Sequence, residues 1–262
     1  MKSHTVSSIK SLKNRKKITM LTAYDALFAK LLSENVDVLL VGDSLNMSFG
    51  GNSDTLSITL DQMIYHTKAV CNGAPNSFII CDMPFGSYTD ENIALQSAVK
   101  VYQQTNAAAI KIEGGKQKAH IIKALTSNSI AVMGHIGLMP QFVRSEGGYK
   151  VKGKDEQNIQ SLIEDAKAVE AAGVFALVVE GVKAEAAKAI TEAVSIPVIG
   201  IGAGKDVDGQ VLVWSDMFGF FEDFKPKFVR QYLHGAKLIK EGLEQFKSDV
   251  QSKNFPNKSE IY

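Results

Sequence analysis

Short apolar runs rich in β-branched residues alternate with longer amphipathic stretches along most of the chain. The runs fall at 18–24, 36–44, 77–84, 108–114, 130–136, 175–181, 197–202 and 211–215. Each is nearly continuous in hydrophobicity, as expected of parallel strands covered on both faces. Between most of them the period becomes helical. Residues 25–35 place Leu27, Phe28, Leu31 and Leu32 on one face, and 61–71, 90–104, 155–172 and 183–194 follow the same rule. Thr89 or Asp90 can cap the helix over 90–104. A last helix is predicted over 226–251, with Pro226 in its first turn and Val229, Tyr232, Leu233, Ala236, Ile239, Leu243 and Phe246 on one stripe.

About eight strands alternating with helices predict an α/β protein, a (β/α)8 TIM barrel. The barrel is expected to fill 1–262 as a single domain, with a short N-terminal segment and a long C-terminal helix. The stretch 204–210 is too short for a full helix between the last two strands. A doubly wound open sheet is the competing architecture, disfavoured because no G-x-G-x-x-G follows the first strand. Residues 147–154, with Gly147, Gly148 and Gly153, read as a loop after the fifth strand, where barrel enzymes keep functional residues.

Composition removes other classes. The 262 residues are 45% hydrophobic and carry 29 basic and 28 acidic side chains, a net 29 − 28 = +1. That balance excludes a disordered chain and argues against a dedicated nucleic-acid binder. No apolar run approaches the roughly 18 residues of a membrane span. Cys71 and Cys81 are too few for a disulfide framework, so a reducing cytoplasm is the expected location. The basic residues Lys10, Lys13, Arg15, Lys16 and Lys17 are followed by no apolar signal core and read as a solvated entry into the first strand.

In such a barrel the chemistry sits at the C-terminal ends of the strands. Asp43, Asp82, Glu113 and Glu180 each close an apolar run there. By alternation Lys111 shares a face with Glu113, Ile80 with Asp82, and Leu39 and Val41 with Asp43. With strands in sequential order, Asp43, Asp82 and Glu113 come from three neighbours roughly 4.8 Å apart, where three ionised carboxylates repel strongly. Lys111 supplies one compensating charge, and a hard divalent cation such as Mg²⁺ is the natural remainder. Capping of the following loops or helices is the other use for these acids. Glu180, further round the mouth, is placed to act as a general base, because partial burial raises a carboxyl's pKa, or else to anchor its loop. His135 can contact a substrate oxygen, ligate a metal or be structural. Ser44 can bond a substrate carboxylate or cap a helix. Gly200, Gly202 and Gly204 fit a phosphate-binding strand–loop, close packing against a flat ligand, or a tight turn.

The segments MLTAYDALFAKLL, VDVLLVGDSLNMSFGG, MIYHTKAVCNGAP, CDMPFGSY, AIKIEGG, VMGHIGLMPQ, GGYKVKGK, ALVVEGV, IPVIGIGAG, DGQVLV and FKPKFVRQY run in order through nearly the whole chain. On them the sequence closely resembles the ketopantoate hydroxymethyltransferase family of the phosphoenolpyruvate/pyruvate barrel superfamily. The resemblance implies hydroxymethyl transfer from 5,10-methylenetetrahydrofolate to 3-methyl-2-oxobutanoate, giving 2-dehydropantoate in pantothenate and coenzyme A synthesis. It implies Mg²⁺ surrounded by Asp43, Asp82 and Glu113. It implies keto-acid contacts from Asp43, Ser44, Asp82 and Lys111, with His135 near the substrate and Glu180 as proton acceptor. Its small-molecule partners are a 2-oxo acid and a folate, and a homo-oligomer, a decamer of dimeric units, is implied as well. Two runs depart from the family's pattern. Thr55-Leu56-Ser57-Ile58-Thr59 replaces a TLP-V-T run, and the loss of the proline predicts a more mobile loop. The run Gly219-Phe220-Phe221-Glu222-Asp223-Phe224 varies among relatives. The carboxylate cluster by itself is also compatible with a Mg-dependent 2-oxo-acid lyase of the same superfamily, or with a non-catalytic keto-acid-binding barrel.

Overall fold

The computed structural model describes residues 4–223 and 225–262. Phe224 of the variable run and the first three residues lie outside the described residues. The chain forms two compact units, Met1–Val213 and Trp214–Tyr262.

The first unit holds eight parallel strands in closed sequential order: β1 (Ile18–Thr22), β2 (Val38–Val41), β3 (Phe78–Asp82), β4 (Ala109–Glu113), β5 (Val132–Gly137), β6 (Ala176–Glu180), β7 (Val198–Ile201) and β8 (Gly209–Leu212). The (β/α)8 barrel predicted from the hydrophobic pattern is thus the observed fold. The helices are α1 (Val6–Lys10), α2 (Ala26–Leu32), α3 (Leu45–Ser48), α4 (Leu60–Gly73), α5 (Glu91–Gln104), α6 (Ala119–Ser127), α7 (Glu156–Ala171) and α8 (Ala184–Ala193). The carboxylates of Asp25, Asp90 and Asp155 accept the backbone N–H three residues on, capping α2, α5 and α7. No helix lies between β7 and β8, as the short 204–210 stretch requires. The helix α6 was not evident in the chain's pattern. Its apolar face is only Ile121, Ile122 and Leu125, all buried.

The barrel interior is filled by Met20, Val38, Leu40, Phe78, Ile80, Ala109, Met133, Val178, Ile199 and Val211. Ile9 of α1 is fully buried in the same cluster. The basic N-terminal run is therefore more than a solvated entry. Lys13 Nζ pairs with Asp208 Oδ2 at 2.8 Å and donates to the Thr191 carbonyl, Lys16 pairs with Asp37, and Lys17 donates to the Val207 carbonyl. Acids and carbonyls at the N-terminal end of the barrel take up these charges. The eighth strand begins two residues earlier than its apolar run suggested, because Gly209 lets it close against Ile18 of β1.

In the second unit α9 (Trp214–Met217) precedes α10 (Gly235–Gln251). The last helix thus starts nine residues after Pro226. The N–H groups of Tyr232 and Gly235 donate to the carbonyls of Met217 and Phe218, and Val229 closes a turn onto Pro226, so 226–234 is not helical. Among the described residues no helix is long and apolar enough to cross a membrane.

Candidate active site

Register builds the site. Pairing sets Asp82 abreast of Lys111, Glu113 abreast of His135, and Gly137 abreast of Glu180. In β3, β4 and β5 the inward parity that carries Ile80, Ala109 and Met133 continues to Asp82, Lys111, Glu113 and His135. Asp43 arrives differently. The interior takes Val38 and Leu40, the parity opposite to Leu39, Val41 and Asp43. The strand ends at Val41, and the turn through Gly42 and Asp43 re-aims the chain, so that the Asp43 N–H donates to Asp82 Oδ2 at 3.1 Å.

Asp43, Asp82, Lys111, Glu113 and His135 are all buried. Lys111 Nζ lies 3.1 Å from Asp82 Oδ1 and 3.1 Å from His135 Nδ1. The second contact of His135 runs from Nε2 to Glu180 Oε2 at 3.2 Å, and its Nδ1 stands 3.5 Å from Glu113 Oε1. Glu180, with its side chain 21% exposed, is the open edge of the cluster. It therefore joins the other acids through His135 instead of facing them from across the mouth. Gly137 permits this arrangement: it sits at φ 98°, and a Cβ there would clash with the Glu180 carbonyl oxygen.

The electrostatics follow from burial. Burial, then the charges of Asp82 and Glu113, push the Asp43 carboxyl well above its usual range. Burial also raises Asp82, although Lys111 opposes it. Burial works against ionised Glu113 too, but His135, Lys111 and the Gln141 N–H outweigh it and hold that carboxyl low. Burial would lower Lys111, yet Asp82, Glu113 and Asp43 raise it. Burial and the Lys111 charge depress His135, but Glu113 and Glu180 overcome both and push it up to about 9. An ammonium only donates, so the 3.1 Å Lys111 contact suits a neutral ring with its proton on Nε2, whereas the two glutamates suit an imidazolium. Both forms carry a proton on the nitrogen nearest Glu180.

Burial and the crowding of three carboxyls hold Asp43 and Asp82 above their usual range, so a further cation here would favour their ionised forms. Asp82 Oδ1 and Glu113 Oε1 are buried without a directed hydrogen-bond donor. That donor set suits a hard dication, which needs only one or two carboxylates and takes its other ligands from substrate and water. Among the described residues no group of three His, Cys, Asp or Glu side chains is arranged to hold an ion by itself. Glu113 gives Oε2 to the Gln141 N–H at 3.0 Å, so part of its work is anchoring the loop after β5.

Ser44 precedes α3 but makes no side-chain cap; its Oγ lies 2.8 Å from the Tyr24 hydroxyl. In the GIGAG run, Gly202 and Gly204 take φ 58° and 82°, and a Cβ on Gly204 would press on Ala184, which fits the tight-turn explanation. In the run 55–59, the Ser57 hydroxyl accepts from Asn46 Nδ2 at 3.0 Å. Two residues at the site were not singled out from the sequence. Gln141, in a 3-10 turn (Pro140–Phe142) after β5, and Tyr88, after β3, are buried and hydrogen-bonded to each other. The only signal for Gln141 was its place in the segment VMGHIGLMPQ.

The model of the ketopantoate hydroxymethyltransferase family matches residues 3–258. The chain is 67% identical over 257 residues to the 3-methyl-2-oxobutanoate hydroxymethyltransferase of Aliarcobacter butzleri, covering 98% of this chain and 96% of that one. It is 63% identical to the protein of the same name from Wolinella succinogenes, over 100% of both chains. Among solved structures it resembles 2,3-dimethylmalate lyase, a member of the PEP mutase/isocitrate lyase superfamily, with a TM-score of 0.62 at 16% identity over 94% of this chain and 88% of that one.

Proposed function

The chain belongs to the ketopantoate hydroxymethyltransferase family, and from that premise we propose that it transfers a hydroxymethyl group from 5,10-methylenetetrahydrofolate to 3-methyl-2-oxobutanoate, giving 2-dehydropantoate for pantothenate and coenzyme A synthesis. The observation that carries this is the buried Asp43, Asp82, Glu113 and Lys111 group with Glu180 at its open edge.

Asp43 and Asp82 are the residues that would hold Mg²⁺, with Glu113 beside them. Bound there, the ion would supply Lewis-acid polarisation of the 2-oxo group. The chain's own side chains divide the remaining work. The Lys111 ammonium stands where negative charge develops on the keto acid, and is already fixed by Asp82 before substrate arrives. Ser44, held by Tyr24, binds the substrate carboxylate. Glu180 accepts the C3 proton, the C–H electron pair becomes the C2=C3 double bond, and the carbonyl π pair moves onto the 2-oxo oxygen as an enolate forms. His135, with a proton on the nitrogen nearest Glu180, orients that carboxylate. Water adds to the opened iminium form of the folate and gives up a proton, the resulting N-hydroxymethyl group releases formaldehyde as its hydroxyl proton passes to the folate nitrogen, and C3 attacks that carbonyl carbon, whose oxygen takes the proton held by Glu180 to complete the hydroxymethyl group.

The cytoplasmic, homo-oligomeric expectation is supported by two free buried thiols and by exposed Leu238, Ile239, Leu243, Phe246 and Val250 on α10 of the single chain. The deciding assay supplies 3-methyl-2-oxobutanoate and methylenetetrahydrofolate with Mg²⁺ or with chelator. Folate-dependent 2-dehydropantoate appearing only with the metal is the expected result. Turnover without folate, or undiminished turnover in chelator, contradicts the proposal.

A further inference from the structure

Gln141 makes four hydrogen bonds from one buried position. Its backbone N–H donates to Glu113 Oε2 at 3.0 Å. Its Nε2 donates to Asp43 Oδ2 at 2.8 Å and to the Met83 carbonyl at 2.9 Å. Its Oε1 accepts from the Tyr88 hydroxyl. Both amide protons and the amide oxygen are therefore used, and the side-chain bonds reach two different loops at the barrel mouth: Asp43 after β2, and Met83 and Tyr88 after β3. Two of the partners are carboxylates of the cluster, and both are bonded on one oxygen only by this residue, which fixes which face of each carboxylate is turned inward.

The Asp43 and Met83 acceptors settle the amide's direction, and the Tyr88 hydroxyl completes it as donor. A phenol donates to Oε1, so Nε2 is turned toward Asp43 and Met83; the reversed amide would set Oε1 against a carboxylate and a carbonyl, two acceptors. Such a side chain does more than fill space. A methionine of similar length would fit the volume and leave Asp43 without its donor. Lys111 restrains Asp82 by charge, but no ammonium lies within ion-pair distance of Asp43 or Glu113 in the ion pairs of the cluster.

On this basis, and resting on the metal and keto-acid roles proposed above, we propose that Gln141 is a positioning residue that sets Asp43 and Glu113 in their binding geometry, with Tyr88 locking the orientation of its amide. It touches neither substrate nor metal. Outer hydrogen-bonding partners of metal-binding carboxylates change metal affinity or activity about 10–100-fold when removed.

The test uses full-length Gln141→Met and Tyr88→Phe proteins beside wild type. Dissociation constants for Mn²⁺ are measured by titration calorimetry without substrate, kcat and KM by steady-state assay, and folding by near-UV circular dichroism. For Gln141→Met the expected result is Mn²⁺ binding at least tenfold weaker and a kcat at least tenfold lower, with the KM for the folate within twofold of wild type. For Tyr88→Phe, which keeps the ring and loses one hydroxyl, a twofold to tenfold weakening with a native spectrum is expected. Wild-type metal affinity and kcat in a folded Gln141→Met overturn the inference. If that variant does not fold, Tyr88→Phe decides alone, and native values in it overturn the inference. If wild type binds no Mn²⁺, the metal role falls instead, and the kcat of the two variants still decides whether Gln141 positions the acids.

Discussion

Cys81 lies at the end of β3, fully buried, next to the Asp82 carboxylate. Burial pushes its thiol up to about 12, and burial raises Cys71 as well. The thiolate is the reactive form, so at pH 8 a group at about 12 is ionised in roughly one molecule in 10,000. Folded protein at pH 8 should therefore leave both thiols unlabelled by a disulfide reagent over minutes, and both should react at once in denaturant. Rapid labelling of the native protein would show that β3 is more open than described. The same scale shows which site residues can be read from a sequence. Asp82, Lys111, Glu113, His135 and Glu180 are legible because each lies at or within two residues of the end of a strand whose alternation is already set by buried neighbours. Asp43 is legible as a strand-end acid but not in its direction, which a turn reverses. Gln141 is not legible at all. An uncharged amide in a loop gains its role only from four partners that the fold brings together from distant positions.

At the level of elements, the two ends of the barrel do different work. The C-terminal ends of β3 to β6 gather charged side chains into one cluster at the mouth, whereas at the N-terminal end an ion pair ties the segment after α1 to the start of β8. Asp208 is the joint there: Oδ2 accepts from Lys13 Nζ at 2.8 Å and from the Val198 N–H at 2.9 Å, and Oδ1 from the Asn14 N–H at 3.4 Å. Both side chains of the ion pair are nearly buried, at 11% and 5% exposed. Asp208→Asn leaves Lys13 with no opposing charge, which costs about 3 kcal/mol and roughly 6–12 °C in melting temperature for a chain of this size. The kcat should stay within twofold of wild type, because the pair lies at the barrel end opposite the strand C-termini, where barrel residues serve stability. A thermal melt and a rate measurement on the same preparation check both halves; a large loss of kcat without a change in melting would contradict the division. Elements were most legible where a wide apolar face identified them. Helix α6, with three buried apolar side chains, was too narrow to stand out, and the N-terminal boundary of α10 was set by carbonyls of Met217 and Phe218 that no local pattern reveals.

For the whole molecule, a net charge of +1 conceals the separation that matters. Carboxyls are collected at one mouth of a closed barrel, where burial and their mutual repulsion push Asp43 well above its usual range, and lysine charges are taken up near the other end. The closed order β1 to β8 brings consecutive strand ends together, so acids at 43, 82 and 113 become neighbours without any sequence proximity. Long apolar runs in sequential order made that topology legible, while in the second unit the apolar stripe read from the pattern of α10 stays exposed. The proposed function requires this mouth to form an enolate of the keto acid with Glu180 as its base. The most direct measurement follows the C3 proton of 3-methyl-2-oxobutanoate by NMR in D₂O, with Mg²⁺ present and folate omitted, for wild type and Glu180→Gln. Wild type should exchange C3 hydrogen for deuterium, and Glu180→Gln should bind the keto acid yet show at least a hundredfold slower exchange; exchange at the wild-type rate in Glu180→Gln would contradict the account.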